Sequence, residues 1–102
     1  MNLASLGAER PWPAHLAYCA SKAALVMATG CLALALAPEV RVNAVAPGVL
    51  EPPGADEAVR RRIPAGRFGT HGEAVEAILF LLAGGGYTTG EVLRVDGGRS
   101  LA

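Results

Sequence analysis

At 102 residues the chain holds at most one domain, with room for a modest core. Apolar residues make up 52% of it and charged residues 18%, a balance that suits strands buried on both faces or a surface meant for a partner. A net charge of zero excludes the electrostatic footprint of a nucleic-acid or anionic-membrane binder. Arg60-Arg61-Arg62, the one basic cluster, has Asp56 and Glu57 beside it and reads as a solvated helix face.

Residues 1–4 read as the last residues of a strand, and residues 5–13 as a loop punctuated by Gly7, Pro11 and Pro13. A helix rich in Ala, Leu and Met is predicted over 14–36, ended by Ala37-Pro38 because the residue before a proline is pushed out of the α region. Its apolar run, 23–37, holds about 15 residues, short of the ~20 a bilayer needs, so no membrane span is expected. Residues 2–7 lack the basic and apolar regions of a signal peptide. Cys19 and Cys31 would lie about 18 Å apart on one helix, beyond disulfide reach. Two unpaired thiols without an export signal point to the cytoplasm.

The β-branched run 40–45, bounded by Pro38 and by Pro47-Gly48, predicts a strand. Residues 49–54 should form an irregular loop, and 56–63 a short helix stopped by Pro64. Thr70 and Glu73 have capping-box spacing. The helix behind them, to residue 83, puts Val75, Ile78, Leu79 and Leu82 on one apolar face. Gly84-Gly85-Gly86 follows that helix as its stop. Residues 91–95 predict a second full strand, and Asp96-Gly97-Gly98 a tight turn whose aspartate is structural.

Strand end, long helix, strand, loop and helices, strand: this alternation implies an α/β fold with parallel strands joined by right-handed crossovers. Three such strands laid outward in order would carry both crossover helices on one face and leave the other bare. A parallel sheet normally has both faces covered. Residues 1–102 therefore read as a single partial domain, part of a doubly wound Rossmann-type sheet.

Tyr18 and Lys22, four apart on the predicted helix, share one face. Lys22 is the only lysine; the other eight basic residues are arginine. An ammonium one helical turn from a phenol stabilises the phenolate and makes proton exchange easier at neutral pH. Ser5, thirteen residues before Tyr18 and just past a strand end, offers a hydroxyl to a substrate atom that develops charge. His15 and His71 have no partner at ligand spacing, so no metal site is expected. Trp12 suits either a pocket wall or a core position.

Ser5, then Tyr18-Cys19-Ala20-Ser21-Lys22-Ala23-Ala24-Leu25, then Val40-Arg41-Val42-Asn43-Ala44-Val45-Ala46-Pro47-Gly48, then Thr89-Gly90 and Val95-Asp96-Gly97-Gly98 occur in order. Together they resemble the short-chain dehydrogenase/reductase family over essentially the whole chain. The resemblance implies an oxidoreductase using NADP(H) or NAD(H) and no metal, with hydride transfer to a carbonyl or imine. Tyr18 would be the proton donor. Lys22 would hold the phenolate and the nicotinamide ribose, and Ser5 would orient the substrate. Pro47, Gly48 and Val49 would lie against the nicotinamide, Trp12 and Leu50 against the substrate, and residues 49–63 would cover it. The long helix 14–36 would pair with a second copy in a homo-oligomer.

A narrower resemblance, to the pteridine reductase-like branch, rests on Ala8-Glu9-Arg10-Pro11-Trp12, on Pro52-Pro53-Gly54, and on Tyr87-Thr88-Thr89-Gly90 followed by Asp96-Gly97-Gly98-Arg99-Ser100-Leu101. Ser5 departs from it, since that branch commonly has aspartate there. Pro52 also stands where many family members have a cofactor-holding threonine. The family's glycine-rich phosphate loop precedes the point where this chain begins, so the N-terminal half is expected to be missing. Two readings stay open: a reductase, possible substrates including a pterin-like ring, or a truncated, catalytically inactive remnant that at most packs against a partner.

Overall fold

Small and β-branched residues build the sheet. The computed structural model describes residues 1–51, 54 and 56–102. Three short strands, β1 (Asn2–Leu3), β2 (Ala44–Pro47) and β3 (Val92–Val95), form one parallel sheet in the order β1-β2-β3. Leu3 pairs with Val45, and Val45 with Leu93. A 3-10 turn at Pro13–His15 leads into α1 (Leu16–Ala35). Helix α2 is one turn (Glu57–Arg60), and α3 (His71–Leu79) runs on into a wider turn of π-helix at Phe80–Gly84.

The β2 ladder begins later than the run 40–45 predicts. Its upstream residues accept backbone bonds, Val42 from Gly90 N and Asn43 from Asn2 N, but side chains complete their pairing in place of a full ladder. Val42 N donates to Thr89 Oγ1 at 3.1 Å, Asn43 Nδ2 donates to the Thr88 carbonyl at 2.8 Å, and Glu91 N donates to Asn43 Oδ1 at 3.0 Å. At the other end Pro47, which has no N–H to give, closes the strand, and Gly48 N donates to the Val95 carbonyl at 2.9 Å.

Side chains alternate along β2. Ala44 and Ala46 join Ala4 in a buried cluster, and Val26 of α1 packs against it. Val45 points the opposite way and is 0% exposed. Helix α3 packs on β2 and β3 without a comparable interface to α1. The two long helices therefore cover opposite faces, which corrects the expectation of one bare face. Because the strands advance in one direction across the sheet, helices on opposite faces give the two crossovers opposite hands. One of them breaks the usual right-handed rule.

The apolar face predicted for α3 is also corrected. Val75, Leu79 and Leu82 are exposed, while Ala74 and Leu81 are buried. Small Ala74 allows close approach to the sheet, and the π turn brings Leu81 inward. The Arg41 guanidinium accounts for that widened turn: it donates to the carbonyls of Leu81 (2.9 Å), Leu82 (3.0 Å), Gly85 (2.6 Å) and Thr88 (3.1 Å). Gly85 then closes the helix, as its glycine run predicts.

A third correction concerns length. The helical run Pro13–Ala35 has 23 residues at a mean hydropathy of 1.5, long and apolar enough to cross a bilayer by those two measures. The shorter expectation counted only the residues after Lys22. Here the run lies along the sheet. Thr29, fully buried, donates to the Leu25 carbonyl at 2.8 Å and accepts from Asn2 Nδ2 at 3.0 Å, fixing α1 to β1. Only 11% of its apolar window is buried, so Leu16, Met27 and Leu34 stand in the open.

The capping box forms as its spacing predicts. Glu73 N donates to Thr70 Oγ1 at 3.1 Å, and Thr70 N donates to Glu73 Oε2 at 2.8 Å. The Arg67 guanidinium beside Glu73 and then the Thr70 amide hold its carboxyl down at about 2, against an ordinary 4.5. A depressed folded value means stabilisation that is complete above the unfolded value and is lost as pH falls through the folded one. Thermal unfolding midpoints of the native chain and Glu73→Gln should therefore differ most above pH 4.5 and converge near pH 2. An undiminished gap at the acid end would show that the carboxylate charge is not what stabilises this helix start. Thr70→Ala should cost about 1 kcal/mol by chemical denaturation.

Candidate active site

The carboxyl ends of β1 and β2 meet the start of α1, and the residues singled out above gather there. Ser5 follows β1, is buried, and caps the 3-10 turn Leu6–Ala8 by accepting from Gly7 N at 3.2 Å. Gly7 gives Tyr18 its place: a Cβ on Gly7 would lie 3.0 Å from Tyr18 Cε1. The phenol ring thus rests against the turn that Ser5 caps, and Tyr18 as a whole is 42% exposed.

Lys22, one turn along α1, donates from Nζ to the Leu3 carbonyl at 2.8 Å, and its ammonium lies 5.8 Å from the centre of the Tyr18 ring. Trp12 stacks on the other side of the site, with ring centres 6.0 Å apart and planes 5° from parallel. His15 meets Trp12 edge-on at 5.9 Å. The same tryptophan lines a cavity of about 170 Å³ with Leu6, Pro47, Gly48, Val49 and Val59.

Of the predicted site residues, Ser5, Trp12, Tyr18 and Lys22 are therefore brought together, and Pro47, Gly48 and Val49 wall the adjoining cavity. Leu50 is placed differently. It bridges to Gly69, and a Cβ on Gly69 would lie 2.9 Å from Leu50 Cδ2. Pro52 and Pro53, which bear on the narrower resemblance and on the covering loop, lie outside the described residues.

Asp96 fixes the turn after β3, accepting from Gly98 N at 2.9 Å and Ser100 N at 2.7 Å. Burial alone would raise its carboxyl, but these hydrogen bonds and the Arg94 charge leave it below the ordinary value. The turn presses on Gly48, whose place admits no side chain: a Cβ there would lie 2.8 Å from Asp96 Cα.

Sequence reasoning gave no role to three arginines here. Arg94 on β3 pairs with Glu9 at 2.7 Å and holds the loop that follows β1. Arg10 and Arg99 both line the cavity, and Arg10 reaches the Arg99 carbonyl at 2.7 Å. Their separation of 89 residues leaves no local pattern to find them by. Among the described residues no three His, Cys, Asp or Glu side chains cluster as a metal site.

A nicotinamide group fits this sheet end. Ligands of open α/β sheets bind outside the carboxyl ends of the strands. Lys22 spends one of its three N–H donors on Leu3 and keeps two for hydroxyls. Gly48 keeps the β2 end flat beside the cavity. A parallel sheet with a tyrosine and a lysine one helical turn apart at its carboxyl end is the arrangement that the comparisons with known proteins bear on.

The chain belongs to the short-chain dehydrogenase/reductase family: residues 1–100 match the family model described as enoyl-(acyl carrier protein) reductase. It is 42% identical over 111 residues to L-xylulose reductase of Caenorhabditis elegans, covering 98% of this chain and 44% of that protein. It is 43% identical over 95 residues to the 3-oxoacyl-[acyl-carrier-protein] reductase FabG of Thermotoga maritima, covering 84% and 39%. Among solved structures, a short-chain dehydrogenase/reductase of glucose/ribitol dehydrogenase type from Brucella melitensis superposes with a TM-score of 0.88 at 37% identity, over 95% of this chain and 41% of that one. The chain thus spans under half the length of these relatives and is part of a Rossmann-type domain.

Close packing at Gly48 carries a test. Gly48→Ala must push apart the β2 end and the Asp96 backbone, which should cost about 1–3 kcal/mol in chemical denaturation. An unchanged midpoint would show that the two turns are free to separate.

Proposed function

We propose that the chain carries the proton-transfer part of an NAD(P)(H)-dependent reductase acting on a small carbonyl or imine compound. The carrying observation is the Lys22 ammonium, set between the Leu3 carbonyl at 2.8 Å and the Tyr18 ring at 5.8 Å. Nicotinamide, when bound, supplies the hydride. Tyr18 gives its phenolic proton to the substrate oxygen or nitrogen as negative charge develops there. Lys22 holds the phenolate that remains and turns its free N–H groups to the ribose. Ser5 accepts from Gly7 N, so its own O–H proton remains for the substrate. Pro47, Gly48 and Val49 wall the nicotinamide side of the cavity.

The names of the relatives, an L-xylulose reductase and a 3-oxoacyl-[acyl-carrier-protein] reductase, favour a carbonyl substrate. The stack of Trp12 on Tyr18 supports a flat, pterin-like ring as the other candidate. The proposal takes the partner to be a small molecule, with no nucleic acid or membrane, on the zero net charge. It places the protein in the cytoplasm on the free thiols of Cys19 and Cys31. NADPH and NADH both remain candidates. The test is turnover with either nucleotide against carbonyl and pterin substrates. Tyr18→Phe should lower kcat by about 10²–10⁴-fold with an unchanged circular dichroism spectrum; retained turnover would remove Tyr18 as proton donor.

A second reading is favoured by one observation, the open apolar surface of α1 at Leu16, Met27 and Leu34. In it the chain is an inactive remnant that packs against another copy through this helix. Sedimentation of the native chain beside Met27→Glu and Leu34→Glu discriminates. Self-association lost in both variants, together with no saturable NADPH binding, would favour the packing module over the reductase. Saturable binding at micromolar NADPH would favour the reductase.

A further inference from the structure

Strands β1 and β3 are not neighbours in the sheet, yet side chains join their ends across β2. Arg94 of β3 donates from Nε to Glu9 Oε2 at 2.7 Å, between residues 85 apart in the chain. Its partner on β2 is Ala46, whose single methyl group leaves the guanidinium room to cross. A second tie lies beside the first: Arg10 Nη1 donates to the Arg99 carbonyl at 2.7 Å and to an Ala102 oxygen. Arg99 belongs to the turn that Asp96 fixes, its own N–H donating to the Asp96 carbonyl at 3.1 Å. Both ties therefore run from the end of β3 to two consecutive residues of the loop after β1.

Trp12 follows two residues later, its ring parallel to that of Tyr18. Gly7, at the start of the same loop, meets both rings: a Cβ there would lie 3.0 Å from Tyr18 Cε1 and 3.4 Å from Trp12 Cζ3. The first half of the loop is packed, with Leu6 and Gly7 buried. The second half is not, since Glu9 and Trp12 are exposed. The bond to the Trp12 carbonyl, from His15 N at 2.8 Å, is local. Among the described residues, the hydrogen bonds that hold residues 9–12 from outside the loop are the two ties to β3 and a weak one from the Cys19 thiol to the Arg10 carbonyl at 3.9 Å. Of these only Glu9–Arg94 reaches the sheet itself. Pro11 and Pro13 fix φ on either side of Trp12, so a shift at Glu9 is passed on to the indole.

We infer that Glu9 and Arg94 are positioning residues: their ion pair seats residues 9–12 so that Trp12 holds the Tyr18 ring in place, and salt, by screening the pair, loosens that seat. The consequence for turnover rests on the reductase reading above; the seat itself does not. The two side chains keep 50% and 30% of their surface in solvent. A pair so exposed shifts the seated population by up to about fivefold. That is enough to orient a ring and too little to hold the fold together.

Trp12 is the only tryptophan in the chain, so the near-UV circular dichroism band of indole reports how firmly this one ring is held. The experiment records that band for the native 102-residue chain, Glu9→Gln, Arg94→Gln, the double variant and Arg94→Lys. Each glutamine variant should lose about half of the band or more, with its unfolding midpoint nearly unchanged. The double variant should lose no more than either single one, because both remove the same interaction. Arg94→Lys keeps the charge without the fork and should restore part of the band. Added salt should lower the native band more than that of the double variant. In turnover, kcat of the glutamine variants should fall by up to about fivefold and recover in part with Arg94→Lys.

A band unchanged in both glutamine variants, or indifferent to salt in the native chain, overturns the inference. So does a band lost together with the unfolding midpoint and not restored by Arg94→Lys, which would make the pair a support of the whole fold. Full turnover in variants that have lost the band would show that Trp12 does not govern Tyr18, and removes the positioning role. The two readings fail separately. Turnover that is absent, or that survives Tyr18→Phe, sinks the reductase and leaves the band to decide the seat. Turnover that depends on Tyr18, with a band indifferent to Glu9 and Arg94, does the reverse.

Discussion

The hydrogen bond from the Lys22 ammonium to the Leu3 carbonyl joins the two elements on which the site depends. Leu3 ends β1, immediately before Ala4 and the Ser5 turn. Lys22 sits one turn beyond Tyr18 on α1. Without that bond the helix start would be held to the strand end mainly through the loop between them, which has two prolines and two 3-10 turns. With it, and with Asn2 bonded to Thr29 two turns further along, α1 has fixed height and rotation over the sheet. The phenol then meets the turn at Gly7, where a larger residue would crowd it. One ammonium thus fixes the helix start to the strand end and lies 5.8 Å from the centre of the ring.

The central strand explains why so small a sheet is ordered. Ala44 and Ala46 present almost no side chain to α1, so the helix approaches closely, while Val45 fills the space beneath the α3 layer. Both faces of β2 are therefore spent on internal packing, as the chain's high apolar content requires of a parallel strand. What remains apolar and open lies on the outer sides of the helices: Leu16, Met27 and Leu34 on α1, and Val75, Leu79 and Leu82 on and after α3. These outward residues agree with a chain that covers about two fifths of the related solved structure.

How far the sequence spoke depended on how local each determinant was. The capping box at Thr70 and Glu73 needs only three residues of spacing and formed as read. Tyr18 and Lys22 likewise depend on a single helical turn, and the parallel α/β order follows from the alternation of patterns. The start of β2 was misread because Val42 and Asn43 look like strand residues yet bond to Thr89, Thr88 and Glu91, a choice that belongs to a distant loop. The inner face of α3 was misread for another reason. Its bulky stripe was taken as buried, but small Ala74 gives closer contact with the sheet. Arg41, thirty residues upstream of that helix, opens the turn that buries Leu81. Helix face and crossover hand are set by what the sheet needs on each side, and no periodicity within one helix states that.

The charge pattern around the cavity carries the same lesson into function. Glu9 and Arg10 are adjacent in sequence and would be taken for a local pair. In the folded chain Glu9 is drawn to Arg94 on β3, while Arg10 turns to the last residues, beside Arg99. One separation across the sheet end produces both results: a structural ion pair that holds the loop after β1, and an arginine that ties the same loop to the last residues. Had Glu9 stayed with Arg10, the loop after β1 would have neither its anchor on β3 nor its tie to the last residues. Splitting the two charges between β3 and the last residues is what braces the loop that carries Trp12, and it does so without engaging the tyrosine and lysine on α1.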